Sequence, residues 1–353
     1  MSTGDDGLTA DNRPSRQRDV ASTTVGLLGW LRALMERASG VAVFGVIILV
    51  FSLWVPQYFD TTTTLQTIAG GQAITLILSL GVLFTLAAGE FDLSMAQNLG
   101  LAAVMVGSLM LSSHVSPVLA VLLTLGAGFG VGAVNGFLVA FVGVNSFITT
   151  LGMGSVLLAV TEIISGDNYI GPVSASFQSI GNSQPLGIPI VVFYAAAIAL
   201  VAWYVLEHSP IGRWIQAVGA NREAAHLAGV PTRRLIFLTF VISGVFSSLA
   251  GILVTAKIGE VSPSLGPPYL LPAFTACFLG ATQLKPGRFN VWGTVLAIYL
   301  LATGVTGLEL VGGPLWVTDM FNGVALVGAV TVAVVVQKRR AARLRAAADR
   351  DTI

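Results

Sequence analysis

The chain has 353 residues, 54% of them hydrophobic and 10% charged, with a mean hydropathy of +0.83 and a formal net charge of +1. Soluble domains carry about 25% charged residues, so this composition excludes a water-soluble fold. The one cysteine, Cys277, excludes a disulfide framework and a thiol-built metal cluster, and His114, His208 and His226 are scattered without ligand spacing.

Residues 1–38 form a polar tail containing Asp5, Asp6, Arg13, Arg16 and Arg18, with no apolar core of the kind a cleavable signal needs. The first part reads as disordered, and 27–35 as a short helix at the membrane surface. A spanning helix takes about 20 mainly apolar residues, because lipid offers no partner to a bare backbone group. Runs that qualify lie at 39–56, 65–88, 94–111, 117–141, 147–165, 188–206, 234–255, 269–284, 290–308 and 317–336, the eighth being short. The expectation is an all-α, polytopic membrane protein of about ten transmembrane helices with both termini cytoplasmic. That map leaves Arg213, Arg222, Arg233, Arg234, Lys285, Arg288 and the basic tail 338–353 inside, and only Lys257 outside. Seventeen of the 18 Lys and Arg residues then share one face, as the positive-inside tendency requires; one span more or fewer would scatter them.

Within the domain 39–337, four stretches carry polar chemistry. The first, Ala88-Gly-Glu-Phe-Asp-Leu-Ser-Met-Ala-Gln-Asn98, closes the second span. Asp92 is placed to accept backbone N–H bonds at the next helix start, where Ser94 is a candidate cap. Glu90 and Asp92 otherwise mark a polar break beside a pathway, since ionisable groups at membrane depth are costly. In the second stretch Asn135 is an amide that needs an internal partner. Asn145 or Ser146 caps the fifth span, and Phe147 and Thr149 are candidates to face a cavity. The small residues Gly128, Gly132 and Gly136, and later Ser243, Ser247 and Gly251, recur every four residues and let helix backbones approach.

The third stretch lies in the basic loop 207–233. Asn221 is a good N-cap, Glu223 sits in the first turn, Ala224, Ala225 and Leu227 make a small apolar face, Gly229 suits the C′ position and Pro231 stops the helix. About two turns are below the ~12–15 residues that hold a helix alone, so the bundle or a partner must support it. The fourth, Leu279 to Gly293, is a Gly/Pro-interrupted turn joining two spans, a plain turn by default, in which Lys285 and Arg288 are candidates to anchor at lipid headgroups. No lysine follows a glycine, so there is no Walker A loop, and no catalytic nucleophile–base pair or metal site is expected.

With these residues together, the chain resembles the permease subunits of bacterial ABC importers for simple sugars, the ribose/xylose group of the branched-chain amino acid permease superfamily. The resemblance covers about 40–337. It rests on Gly89, Phe91, Asp92, Leu93 and Ser94; on Asn135 and Gly136; on Phe147, Ile148, Thr150, Leu151 and Gly152; on Gly212, Arg213, Ala217, Gly219, Asn221, Ala224 and Ala225; and on Leu279, Gly280, Leu284, Gly287 and Arg288. Glu90 departs from it, standing where that family commonly has a small residue. The resemblance implies a homodimeric channel in the bacterial cell membrane, served by a cytoplasmic ABC ATPase that binds ATP and Mg and by an extracytoplasmic solute-binding protein. No cofactor in this chain and no nucleic-acid partner are expected. It makes the 221–229 segment a coupling helix, with Asn221, Glu223, Ala224, Ala225, Leu227 and Gly229 toward the ATPase. Asp92, Ser94, Asn98, Asn135, Phe147 and Thr149 become candidates for a monosaccharide pathway. The alternative is a proton-coupled secondary transporter using Glu90 and Asp92.

Overall fold

The computed structural model describes residues 40–314 and 316–351, so the tail 1–38 lies outside the described residues. Among the described residues, helices dominate, with one isolated bridge between Ile170 and Val261. In chain order they are α1 (Gly40–Trp54), α2 (Pro56–Phe59), α3 (Thr62–Ala87), α4 (Met95–Leu111), α5 (Pro117–Phe137, prolonged by a π turn Leu138–Val142), α6 (Ser146–Ser165) and α7 (Ala175–Asn182). There follow α8 (Ile190–Trp203, with a π turn Tyr204–His208), α9 (Pro210–Ala220), α10 (Arg222–Leu227), α11 (Thr232–Ile258), α12 (Leu270–Gln283), α13 (Val291–Leu310) and α14 (Trp316–Asp351).

Each apolar run read from the sequence holds one of these helices. Six of them, α3, α5, α6, α8, α11 and α13, are long and apolar enough to cross a membrane alone. The others are shorter. α12 has 14 residues, about 21 Å at 1.5 Å per residue, against a hydrocarbon core of about 30 Å. Pro263, Pro267 and Pro268 explain this: they hold the preceding segment in two 3-10 turns and deny it helical N–H donors. At the other extreme, α14 continues past residue 337 to Asp351, so no break separates the last apolar run from the basic stretch.

α11 is the centre, packed against α3, α4 and α5, and α3, α11 and α13 are the most enclosed long helices. Small residues make this closeness available. Gly128, Gly132 and Gly136 on α5 meet Gly244 and Ser248, Phe240 and Val241, and Phe237 on α11. α5, α6 and α8 turn Leu122, Phe129, Ile163 and Val201 outward, an apolar coat suited to lipid.

The fold sorts charge between its two ends. At one end the α3–α4 break, the α8–α11 loop and the α12–α13 turn come together, with Arg222 bonded to Glu90, Lys285 to Glu207 and Arg288 to Gln216. Lys285 and Arg288 therefore pair with protein groups. Their partners, on the α8 π turn and on α9, pin the turn against that loop. Lys257 lies at the opposite end, donating to the Gly70 carbonyl at 2.8 Å.

Candidate functional site

α3 ends in a left-handed glycine. Gly89 has φ +81°, its N–H bonds to the Leu86 carbonyl, and the Glu90 N–H reaches Thr85 at 2.9 Å. This two-bond closure satisfies the last carbonyls of the helix and turns the chain sharply. Five residues of non-helical backbone follow within the bundle, and their N–H groups need partners there. α6 supplies them: the Phe91 N–H donates to Ser146 at 3.2 Å and the Leu93 N–H to Thr150 at 3.0 Å. Phe91 also stacks near Phe274 and Phe278 of α12, with ring centroids 6.4 Å apart in each case.

Asp92 organises the break. It is 2% exposed. One carboxylate oxygen accepts the Ser94 N–H at 3.1 Å and the Ser94 hydroxyl at 2.6 Å, and the other accepts the Ser243 hydroxyl of α11 at 2.6 Å. The Asn135 amide of α5 donates to the Ser94 hydroxyl at 2.8 Å, and Asn98 of α4 donates to the Gly244 carbonyl of α11 at 2.9 Å. Asp92, Ser94, Ser243 and Asn135 thus form one buried polar knot fastening α5 and α11 to the break, and Asn98 ties α4 to α11 beside it. Ser94 does occupy the N-cap position of α4, but its side chain caps nothing; its hydroxyl is committed to Asp92. The Asn135 carbonyl oxygen is buried without a hydrogen-bond partner among the described residues.

Phe147 and Thr149 stand apart from this knot. Asn145, not Ser146, caps α6, accepting from the Phe147 and Ile148 N–H groups at 3.0 and 3.3 Å. The Thr149 hydroxyl returns to the Asn145 carbonyl, and Phe147 is 49% exposed. Glu90 and Asp92 are bonded to different groups: Asp92 is held by serine hydroxyls, while Glu90 pairs with Arg222 at 3.3 Å. The basic partner for Glu90 is 132 positions away in the chain, beyond any local reading.

α10 forms as its end signals dictate. Asn221 accepts the Ala224 N–H at 3.0 Å. At the other end Gly229 has φ +81°, with its N–H on His226 and the Val230 N–H on Ala225 at 3.0 Å. The expected apolar face is corrected in one respect. Ala225 is only 6% exposed and belongs to the core, together with the adjoining Val230, whereas Leu227 is 88% exposed. Ala225 and Leu227 are two positions apart, about 200° around the helix, so their side chains point to opposite sides. The bundle holds the helix by Ala225, leaving Glu223, Ala224 and Leu227 outward. Beside them lies a concavity of about 630 Å³ lined by Arg222, Glu223, His226, Arg233 and Arg234 among others.

Sequence reasoning missed three participants. Ser243 reads as a packing residue in a small-residue stripe, yet it is the α11 anchor of Asp92. Ser146 reads as a candidate cap and Thr150 only as part of the family motif, yet they satisfy the break.

Residues 64–330 match the family model described as the branched-chain amino acid transport system / permease component. The chain belongs to that family. It is 31% identical over 306 residues to the ribose import permease protein of Escherichia coli (strain K12), covering 85% of this chain and 94% of that protein. It is 29% identical over 269 residues to the D-allose transport system permease protein of the same organism, covering 76% and 82%. Against the L-arabinose transport system permease protein of that strain it is 30% identical over 298 residues, covering 82% and 87%. No solved structure matches. The chain is a multi-pass permease of the cell membrane, of the kind that serves sugar ABC importers.

Proposed function

We propose that the chain passes a monosaccharide or similar small polar solute inward, receiving it from an extracytoplasmic binding protein and driven by a separate cytoplasmic ATPase that binds ATP and Mg. Ten helices cross the membrane, both termini are cytoplasmic, and two copies enclose the pathway. The end of the bundle carrying Arg213, Arg222, Arg233, Arg234, Lys285 and Arg288 faces the cytoplasm. The likeness to ribose, allose and arabinose permeases supports the solute class.

The single observation that carries the mechanism is α10: a helix too short to stand alone, seated by Ala225, with Leu227 presented outward at 88% exposure. Asn221 and Gly229 fix its ends, and Glu223, Ala224 and Leu227 meet the ATPase. Closure of the ATPase on ATP moves α10 and switches the bundle between outward- and inward-facing states. Asp92, Ser94, Asn98 and Asn135 hold the wall beside the pathway, which Phe147 and Thr149 approach from α6.

Leu227 gives the test, because a change at Ala225 would disturb the core as well. Leu227→Asp places a charge on the presented tip, and an apolar anchor at an interface centre is worth about 2 kcal/mol or more. Co-purification of the ATPase should fall about tenfold or more, while the permease still inserts and keeps its melting temperature. Undiminished ATPase binding and uptake would remove α10 from the interface.

A further inference from the structure

The outward tip of α10 and the Asp92 knot are joined by a short physical path. Arg222 is the first residue of α10, held there by the Asn221 cap. Its guanidinium lies 3.3 Å from the Glu90 carboxylate, whose side chain is 14% exposed against 47% for Arg222. Glu90 is two residues from Asp92. The backbones also touch: a side-chain carbon at Gly219 would run into the Ala87 carbonyl, and one at Gly89 would sit 3.4 Å from the Gly219 Cα. α9 therefore rests on the turn that ends α3, and the ion pair spans the gap just beyond that contact.

We propose that Glu90 is a positioning residue that ties α10 to the break, so that displacement of α10 is passed through Arg222 and Glu90 to Asp92 and from there to α4, α5 and α11. The Gly89–Gly219 contact is the fulcrum and the ion pair is the link. Charge attraction suits this task. A half-exposed pair adds little to static stability, but it holds two elements together through a small rotation that rigid packing would resist. An element whose two positions bias both ends is what coupling between sites requires. The inference rests on α10 meeting the ATPase, and it adds where the motion goes next.

The test uses the whole importer in lipid vesicles, with Glu90→Gln, Arg222→Gln and the exchanged pair Glu90→Arg/Arg222→Glu. Each single change should lower solute-stimulated ATP hydrolysis and uptake together by about fivefold, with the ATPase still co-purifying, and the exchanged pair should recover most of the loss. In the permease alone, Arg222→Gln should also speed backbone hydrogen exchange at 89–93 while leaving α5 unchanged. Single variants that couple normally, an exchanged pair no better than either single, or unaltered exchange at the break would overturn the tie. Failure of the docking reading is distinguishable, because it appears as undiminished ATPase binding by Leu227→Asp whatever Glu90 does.

Discussion

Asp92→Leu should lower the stability of the purified permease by about 3 kcal/mol or more, read as a fall in thermal midpoint in lipid discs. The magnitude follows from what the substitution strands. The Ser94 N–H, the Ser94 hydroxyl and the Ser243 hydroxyl all donate to this carboxylate, and each is buried. A hydrogen bond between transmembrane helices averages only about 0.6 kcal/mol, because chains unfolded within the membrane find other partners. Here the loss is larger than that average, since three donors remain in place without an acceptor, at about 1–3 kcal/mol each. Asp92→Asn is the informative companion. Its amide oxygen replaces one acceptor and its NH₂ can donate to a hydroxyl that rotates, so most of the stability should persist. An Asp92→Leu protein as stable as the native one would show that the knot is not what holds the break.

The second large effect is expected at Gly132. A side-chain carbon there would run into the Phe240 carbonyl and sit 2.8 Å from the Val241 Cα. Both are backbone, so neither yields by changing rotamer. Gly132→Leu should force α5 off α11 and leave little folded protein after extraction, beyond the 1–3 kcal/mol of ordinary overpacking. Gly130, two residues away on the same helix, has nothing within 4 Å of the equivalent position. Gly130→Ala should fold normally and gain a few tenths of a kcal/mol or more from helix propensity. Equal tolerance at the two positions, measured by size-exclusion profile and melting temperature, would contradict the α5–α11 seam.

Legibility from sequence followed the range of each interaction. The apolar runs were readable because each helix must satisfy its backbone internally, and the end signals of α10 were readable because Asn221, Gly229 and Pro231 act within a few residues. The small-residue spacing of α5 announced a close seam, though not that α11 would fill it. Asp92 was recognisable as the special group of the break, but its bond to Ser243 crosses 151 positions and no local pattern encodes it. The same holds for Glu90 and Arg222, which looked like an acid beside an acid and a loop cation. The inward orientation of Ala225 is not legible for a different reason: composition gives an apolar set, whereas the orientation of a helix shorter than two turns is decided by the bundle beneath it. The shortness of α12 was visible as a short run, while its cause lay in the prolines before it.

We propose that solute movement through this chain is driven by ATP through α10 and not by a proton gradient through Glu90 and Asp92. Uptake by vesicles containing the permease, its ATPase and its binding protein measures this directly, using whichever labelled pentose or hexose the binding protein retains. Uptake should require ATP on the ATPase side and the binding protein on the other, should persist when the proton gradient is collapsed, and should be lost with Leu227→Asp. Uptake by the permease alone, driven by an imposed proton gradient and abolished by Glu90→Gln, would contradict the account.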